Sequence, residues 1–194
     1  MRRAATTGAL ALALAVGVAG PSAAADYTHT DPAKDVVLTD PFDVGPAPDN
    51  KEADIVKVSV THSATKVRST IELRDITKSR KHNFVINLRA KVGAKVRHFD
   101  IYLQTDPSDA QGELTVYGKD GLPVTCPGQS SDIDYGKDVV TVTVPRSCLG
   151  KPSWVKAAIT AEWVPSHDDY YSDNGLKKGG APGVVTYSPQ ITKG

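Results

Sequence analysis

The sequence lacks the short motifs that mark the commonest enzyme classes. It contains no G-x-S-x-G turn, no H-E-x-x-H pair, no phosphate-binding loop and no dinucleotide-binding glycine pattern. Its five histidines are dispersed along the chain instead of grouped. We therefore predict a protein that is not an enzyme and assign no catalytic residue. An extracellular hydrolase is kept as a distant third possibility.

The chain also lacks an excess of charge of either sign. Without residues 1–25, which contain Arg2 and Arg3, it has 21 Lys and Arg against 22 Asp and Glu. Binding to nucleic acid needs clustered basic side chains that neutralise phosphates. The charge balance therefore argues against nucleic acid as a partner.

A long apolar run occurs only near the N-terminus, and it is too short to span a bilayer. The positive residues 1–3 are followed by the apolar residues 9–19 and by the small residues 22–25. These are the three parts of a secretory signal peptide. We predict that residues 1–25 are removed after Ala25. The product is then secreted, either released or loosely associated with the cell wall, and has no membrane span.

Cysteine is scarce as well, with only Cys126 and Cys148 in the chain. Both lie in the exported part, where an isolated pair is most simply a disulfide. A reactive thiol or a metal-binding pair is the alternative. The two cysteines lack the close C-x-x-C spacing of such sites, and no histidine lies between them. We therefore predict a disulfide bond.

What the chain does contain is alternation of apolar and polar residues with a period of two. Val56, Val58 and Val60 point to one side of a predicted strand, and the polar residues between them point to the other. Similar runs are found at residues 66–75, 82–89, 95–104, 114–117, 139–144 and 154–163. About eight strands without an amphipathic helix predict an all-β fold. We expect one antiparallel, jelly-roll-like β-sandwich at residues 51–194, preceded by an extended lead-in at residues 26–50.

Three sets of short phrases carry a resemblance to known proteins. They are Asp31-Pro32-x-x-Asp35-Val36, then Ala53-Asp54-Ile55-x-Lys57-Val58-x-Val60-x-His62, and later Val144-Pro145-Arg146-Ser147-Cys148-Leu149-Gly150-x-Pro152-x-Trp154-Val155. In this order they resemble small secreted actinobacterial proteins of uncharacterised function. More distantly, the chain is similar to β-sandwich modules of the DOMON and family-9 carbohydrate-binding type. The resemblance implies a fold more directly than a function.

The resemblance implies a structural calcium ion held by Asp31, Asp35 and Asp54. Calcium takes six to eight oxygen ligands, and an exported protein meets it freely. The alternative is that Asp31 and Asp35 cap turns beside neighbouring prolines, because Asp favours turns for its own side-chain hydrogen bonds.

The resemblance also implies exposed aromatic side chains that bind sugars. The chain has only 12 aromatic residues. The tyrosine pair beside two aspartates is the better binding-loop candidate, whereas core packing is the alternative for the tryptophans. The predicted ligand-binding residues are Trp154, Asp168, Asp169, Tyr170 and Tyr171, and Trp163 is a further aromatic candidate.

From these observations we expect a secreted, non-catalytic binding module. Its expected ligand is an extracellular or cell-wall glycan, and calcium is its expected structural ion. The alternative is a secreted protein-interaction or structural protein, whose partner is another secreted or surface protein.

Overall fold

The computed structural model describes residues 24–41, 43–166, 169–178 and 185–194. Residues 1–23 of the predicted signal peptide lie outside this part, as does Asp168. The described ranges contain 13 strands and no helix. Accordingly, no helix in them is long and apolar enough to cross a membrane. The strands are β1 (Ala25–Thr30), β2 (Val37–Thr39), β3 (Val44–Pro46), β4 (Ile55–His62), β5 (Lys66–Leu73), β6 (His82–Val92), β7 (Lys95–Asp106), β8 (Asp109–Tyr117), β9 (Ser130–Asp134), β10 (Val139–Pro145), β11 (Trp154–Trp163), β12 (Tyr170–Asn174) and β13 (Ile191–Thr192).

The strands form two antiparallel sheets. The smaller sheet has the order β1-β4-β5-β10-β9. The larger sheet has the order β3-β2-β12-β11-β6-β7-β8, and β13 pairs with β11. The prediction of an all-β, antiparallel, sandwich-like domain is confirmed.

The core lies between the two sheets and is filled by the alternate residues that the sequence pattern marks. On β6, Phe84, Ile86 and Leu88 are buried, and the neighbouring β11 buries Ala157 and Ile159. Each square ångström of apolar surface removed from water contributes about 25 cal/mol. The alanines of β11 would also suit a helix, but its pairing between β6 and β12 makes this segment a strand.

Strands in the region expected to be an extended lead-in are the main addition to the predicted elements. Residues 25–50 contain β1, β2 and β3, of which β2 and β3 are three residues long. Three residues are too few to show a period of two, so the sequence pattern does not reveal them. Near the C-terminus, residues 185–190 form no strand and β13 lies at Ile191–Thr192.

Gly175 fixes how the end of β12 packs on the smaller sheet. A Cβ atom at this position would lie 2.6 Å from Val58 Cγ1 and 3.0 Å from Ile55 Cγ2. Both neighbours are branched side chains in the core. Glycine therefore permits the close approach that brings the preceding residues of β12 against the start of β4.

The disulfide closes the end of the sandwich near the β6–β7 hairpin. Cys126 precedes β9 and Cys148 follows β10, and their sulfur atoms are bonded at 2.02 Å, with the Cα atoms 5.3 Å apart. The predicted pairing of the two cysteines is confirmed.

We expect the native protein to contain no free thiol. The double variant Cys126→Ser/Cys148→Ser should lose about 3 kcal/mol of unfolding free energy, because the 22-residue separation no longer restricts the unfolded chain. Urea unfolding of the two proteins measures this difference. Labelling of either cysteine by a thiol reagent in denaturant, before any reduction, would contradict the assignment.

Candidate metal centre

Three carboxylates meet where the chain crosses from one sheet to the other. Asp31 follows β1 of the smaller sheet, Asp35 precedes β2 of the larger sheet, and Asp173 lies on β12. One carboxylate oxygen from each lies within 4.8 Å of the others. We call these three residues the acidic cluster.

Asp31 and Asp173 of the acidic cluster are buried, Asp35 is half-buried, and some of the buried carboxylate oxygens have no hydrogen-bond donor in the described part of the chain. Asp31 is 4% exposed and Asp173 is 0% exposed. Asp173 Oδ2 accepts a hydrogen bond from the Ile55 backbone N–H at 2.8 Å. Among the described residues, neither oxygen of Asp31 nor Oδ1 of Asp173 receives a hydrogen bond. Burying a carboxylate oxygen without a hydrogen-bond partner costs free energy, and a cation bound between these carboxylates would offset that cost.

Burial and mutual repulsion disfavour the charged form of the cluster. Burial, with the charges of Asp35 and Asp54, raises the pKa of Asp31 to about 7. Burial, with the charges of Asp31 and Asp35, raises the pKa of Asp173 to about 8. The His29 imidazole, which carries charge only when protonated, has its Nε2 3.8 Å from Asp31 Oδ1. A bound cation would favour the ionised forms of Asp31 and Asp173.

Asp54 lies beside the acidic cluster and has a different role from the one expected. Its two carboxylate oxygens accept the Lys34 backbone N–H at 3.1 and 3.0 Å, and Oδ2 pairs with Arg74 Nε at 2.9 Å. Lys34 is in the left-handed backbone region, with φ of 71°. Asp54 and Arg74 therefore hold the turn between Asp31 and Asp35 in shape.

Asp173 replaces Asp54 as the third member of the group. Its carboxylate reaches Asp31 and Asp35 only because β12 pairs with β2, a contact between segments more than 130 residues apart. The only local sign of this role is the high density of acidic residues at positions 168–173.

The geometry of the acidic cluster suits calcium. Calcium is bound by oxygen at about 2.3–2.6 Å, so two ligands on opposite sides of one ion lie about 5 Å apart. The carboxylate oxygens of the acidic cluster lie within 4.8 Å of one another, which is compatible with this distance. Three carboxylates supply part of the six to eight oxygens, and backbone carbonyls and water commonly supply the others.

The predicted ligand-binding residues do not form a single site. Tyr171 stacks on Trp163, with ring centroids 4.9 Å apart, whereas Tyr170 pairs with Thr39 and points to the opposite face of β12. Asp169 directly precedes β12, and its N–H donates to Ser166 Oγ at 2.9 Å. Trp154 lies at the other end of β11, about 30 Å from Trp163 along the strand.

Trp163 and Tyr171 do line a cleft of about 350 Å³, whose other wall is formed by residues 46–50. Arg74 Nη2 supports that wall by donating to the carbonyl of Pro48 at 3.0 Å and to that of Asn50. However, Arg80 also packs on the Trp163 ring, 4.9 Å from its centroid. Much of the indole is therefore already in contact with protein.

A second aromatic site lies on the outer face of the larger sheet, and the sequence reasoning missed it. Tyr102 on β7 and Tyr117 on β8 meet edge to face, with centroids 5.5 Å apart. They line a groove of about 340 Å³, which we call the tyrosine groove. Its lining residues are Asp100, Tyr102, Gln104, Glu113, Thr115, Tyr117 and Gly121.

Hydrogen bonds hold the polar side chains of the tyrosine groove in place. Asn87 Nδ2 donates to Asp100 Oδ1 at 2.7 Å, and Gln104 Nε2 donates to Asn83 Oδ1 at 3.4 Å. Asn83 in turn donates to Glu162 at 3.1 Å. The period-two pattern of β7 places Tyr102 opposite the core residues, and a large aromatic residue at an outward position is the signal that identifies this face.

No protein-family model matches the chain, and neither a curated protein nor a solved structure matches it. Its function must therefore be inferred from the side chains themselves.

We expect calcium to raise the melting temperature of the protein and a chelator to reverse the increase. At a calcium concentration of 100 times the Kd, the stabilisation should be about 2.7 kcal/mol. Asp31→Asn and Asp173→Asn should abolish the response, because each removes a ligand charge. Asp132→Asn, an exposed position on β9, is the matched control and should keep the response. A wild-type protein whose melting temperature ignores both calcium and chelator would refute the metal centre.

Without calcium, stability should fall as pH rises from about 5 to about 8. The folded pKa values of Asp31, about 7, and Asp173, about 8, exceed their ordinary value of 3.8. The folded state therefore binds more protons than the unfolded state between those values, and it loses this advantage as pH passes the folded pKa. Urea unfolding in chelator at the two pH values measures the change. Saturating calcium should reduce this loss of stability with rising pH. Equal stability with and without calcium at about pH 8 would contradict the prediction.

Proposed function

We propose that this chain is a secreted, non-catalytic module that binds an extracellular or cell-wall glycan in the tyrosine groove. The observation that carries the proposal is the groove itself, in which two tyrosine rings stand beside several polar side chains on an outward sheet face. The signal-peptide pattern and the disulfide support a location outside the cell. Calcium at the acidic cluster is the structural ion of this module.

The chemistry of the tyrosine groove suits a sugar. A pyranose ring has an apolar C–H face that packs on an aromatic ring, and hydroxyl groups that need donors and acceptors. Tyr102 and Tyr117 supply the apolar surface, while Gln104, Glu113 and Thr115 supply the polar groups. The volume of about 340 Å³ is near the lower end of the range for small-ligand sites. A short stretch of a glycan is therefore the ligand that we propose.

The strand positions of the two acidic residues in the groove are further apart than the carboxyl groups of a typical glycosidase. Asp100 is opposite Tyr117, whereas Glu113 is opposite Gln104, four residues further along β7. These positions are about 13 Å apart along the strand. Glycosidases generally place their two carboxyl groups about 5–9.5 Å apart.

The proposed calcium ion has a structural role because it is remote from the tyrosine groove. The acidic cluster involves β2 and β12, near one edge of the larger sheet, whereas the groove is on β7 and β8 at the other edge. Three strand spacings, or about 14 Å, separate β12 from β7. The ion would join the loop after β1 of the smaller sheet to β12 of the larger one.

Tyr102→Ala and Tyr117→Ala should each weaken glycan binding about tenfold, because each removes an aromatic surface worth about 1.4 kcal/mol. A glycan array and a pull-down with cell-wall polymers identify the ligand, and calorimetry measures its affinity. Tyr171→Ala, in the cleft with Trp163, is the matched control and should bind normally.

Two results would contradict the proposal. Loss of binding in Tyr171→Ala alone would place the ligand in the cleft beside Trp163. Retention on no polysaccharide, with capture of a secreted protein instead, would favour the protein-interaction function.

A further inference from the structure

The tyrosine groove carries negative charge that no lining residue offsets. Of its seven lining residues, Asp100 and Glu113 are acidic and none is basic. Glu162 lies nearby on β11 and accepts the hydrogen bond from Asn83. Burial raises the pKa of the Tyr102 hydroxyl. The negative charges of Asp100 and Glu162 raise this pKa further.

Basic side chains gather elsewhere on the larger sheet. Lys95, Arg97 and Lys119 line a separate cleft of about 820 Å³ at the β6–β7 hairpin end, next to Cys148. Lys95 and Arg97 of β7 therefore line a different depression from Asp100 of the same strand. The groove is a local acidic site on a chain that is nearly neutral overall.

An ammonium group can interact favourably with both the tyrosine rings and the carboxylates of this site. The faces of tyrosine rings attract cations, and carboxylates accept charge-assisted hydrogen bonds from them. A neutral sugar would use only the polar and apolar contacts, and an acidic sugar would be repelled by Asp100 and Glu113. We infer that the tyrosine groove selects glycans built from amino sugars with free, protonated amines. This inference rests on the proposed glycan-binding function.

A lysine side chain of a peptide carries the same ammonium group, but the groove favours a sugar. A single lysine would use one ring face and one carboxylate. Asp100 on β7 and Glu113 on β8, about 13 Å apart in the strand direction, instead suit a ligand that presents amines at intervals. Thr115 lies between these two levels and Gln104 lies opposite Glu113, and both can pair with hydroxyl groups, which a lysine side chain lacks.

Calorimetry with three oligosaccharides of equal length tests the inference. The probes are a glucosamine oligomer with free amines, its N-acetylated form and a neutral glucose oligomer, all at about pH 6. We expect the free-amine oligomer to bind at least about tenfold more tightly than the others. Asp100→Asn and Glu113→Gln should remove this preference, so that the free-amine oligomer binds no more tightly than the neutral oligomer. Asp132→Asn, on the other sheet, should keep the preference.

The outcomes separate the inference from the proposed function. Equal affinity for the three oligomers would overturn the amine selectivity and leave glycan binding intact. If no oligomer binds and the glycan array also shows no binding, both the amine selectivity and the proposed glycan-binding function are contradicted. A preference that survives in both acidic variants would overturn the role of Asp100 and Glu113, provided that thermal melts show folded variants. An oligolysine peptide that competes more strongly than the free-amine oligomer would overturn the choice of a sugar.

Discussion

The repulsion among Asp31, Asp35 and Asp173 is the constraint on which this structure depends. Three carboxylates with oxygens within 4.8 Å of one another meet here, and two of them, Asp31 and Asp173, are buried, where water screens charge poorly. The fold places them there through features that serve other purposes: the tight packing at Gly175, the Asp54–Arg74 ion pair and the pairing of β12 with β2. We propose that a divalent cation offsets this repulsion and links the two sheets at this point.

The acidic cluster, proposed to stabilise the fold, and the tyrosine groove, proposed to bind the ligand, lie in different parts of the larger sheet. The acidic cluster faces the interior near one edge of the larger sheet, and the tyrosine groove faces outward near the other edge. Strands β11 and β6 lie between them and carry much of the apolar core. Substitutions of the groove residues should therefore have little effect on the packing of the core. The groove residues point outward from their strands, whereas the inward-pointing residues hold the sandwich together. An outward sheet face of this kind can acquire a binding function at little cost in stability.

The sequence predicted what depends on local pattern and missed what depends on strand order. Period-two alternation identified the long strands, such as β6 and β11, and the two cysteines were sufficient to predict their bond. Asp31 and Asp35 were grouped on the basis of a resemblance, and the structure places both in the acidic cluster. Asp173 was not assigned to them, since its neighbours are set by the pairing of β12 with β2, which periodicity does not reveal. Likewise, Tyr102 and Tyr117 become one surface only through the β7–β8 register.

The most direct test is a crystal structure of the secreted protein grown in saturating calcium, with anomalous scattering to identify the ion. We predict one calcium ion bound by Asp31, Asp35 and Asp173, with oxygen distances of about 2.3–2.6 Å and Asp54 still paired with Arg74. Carboxylates of the cluster that hydrogen-bond to one another or to water, with no anomalous peak between them, would contradict the central claim.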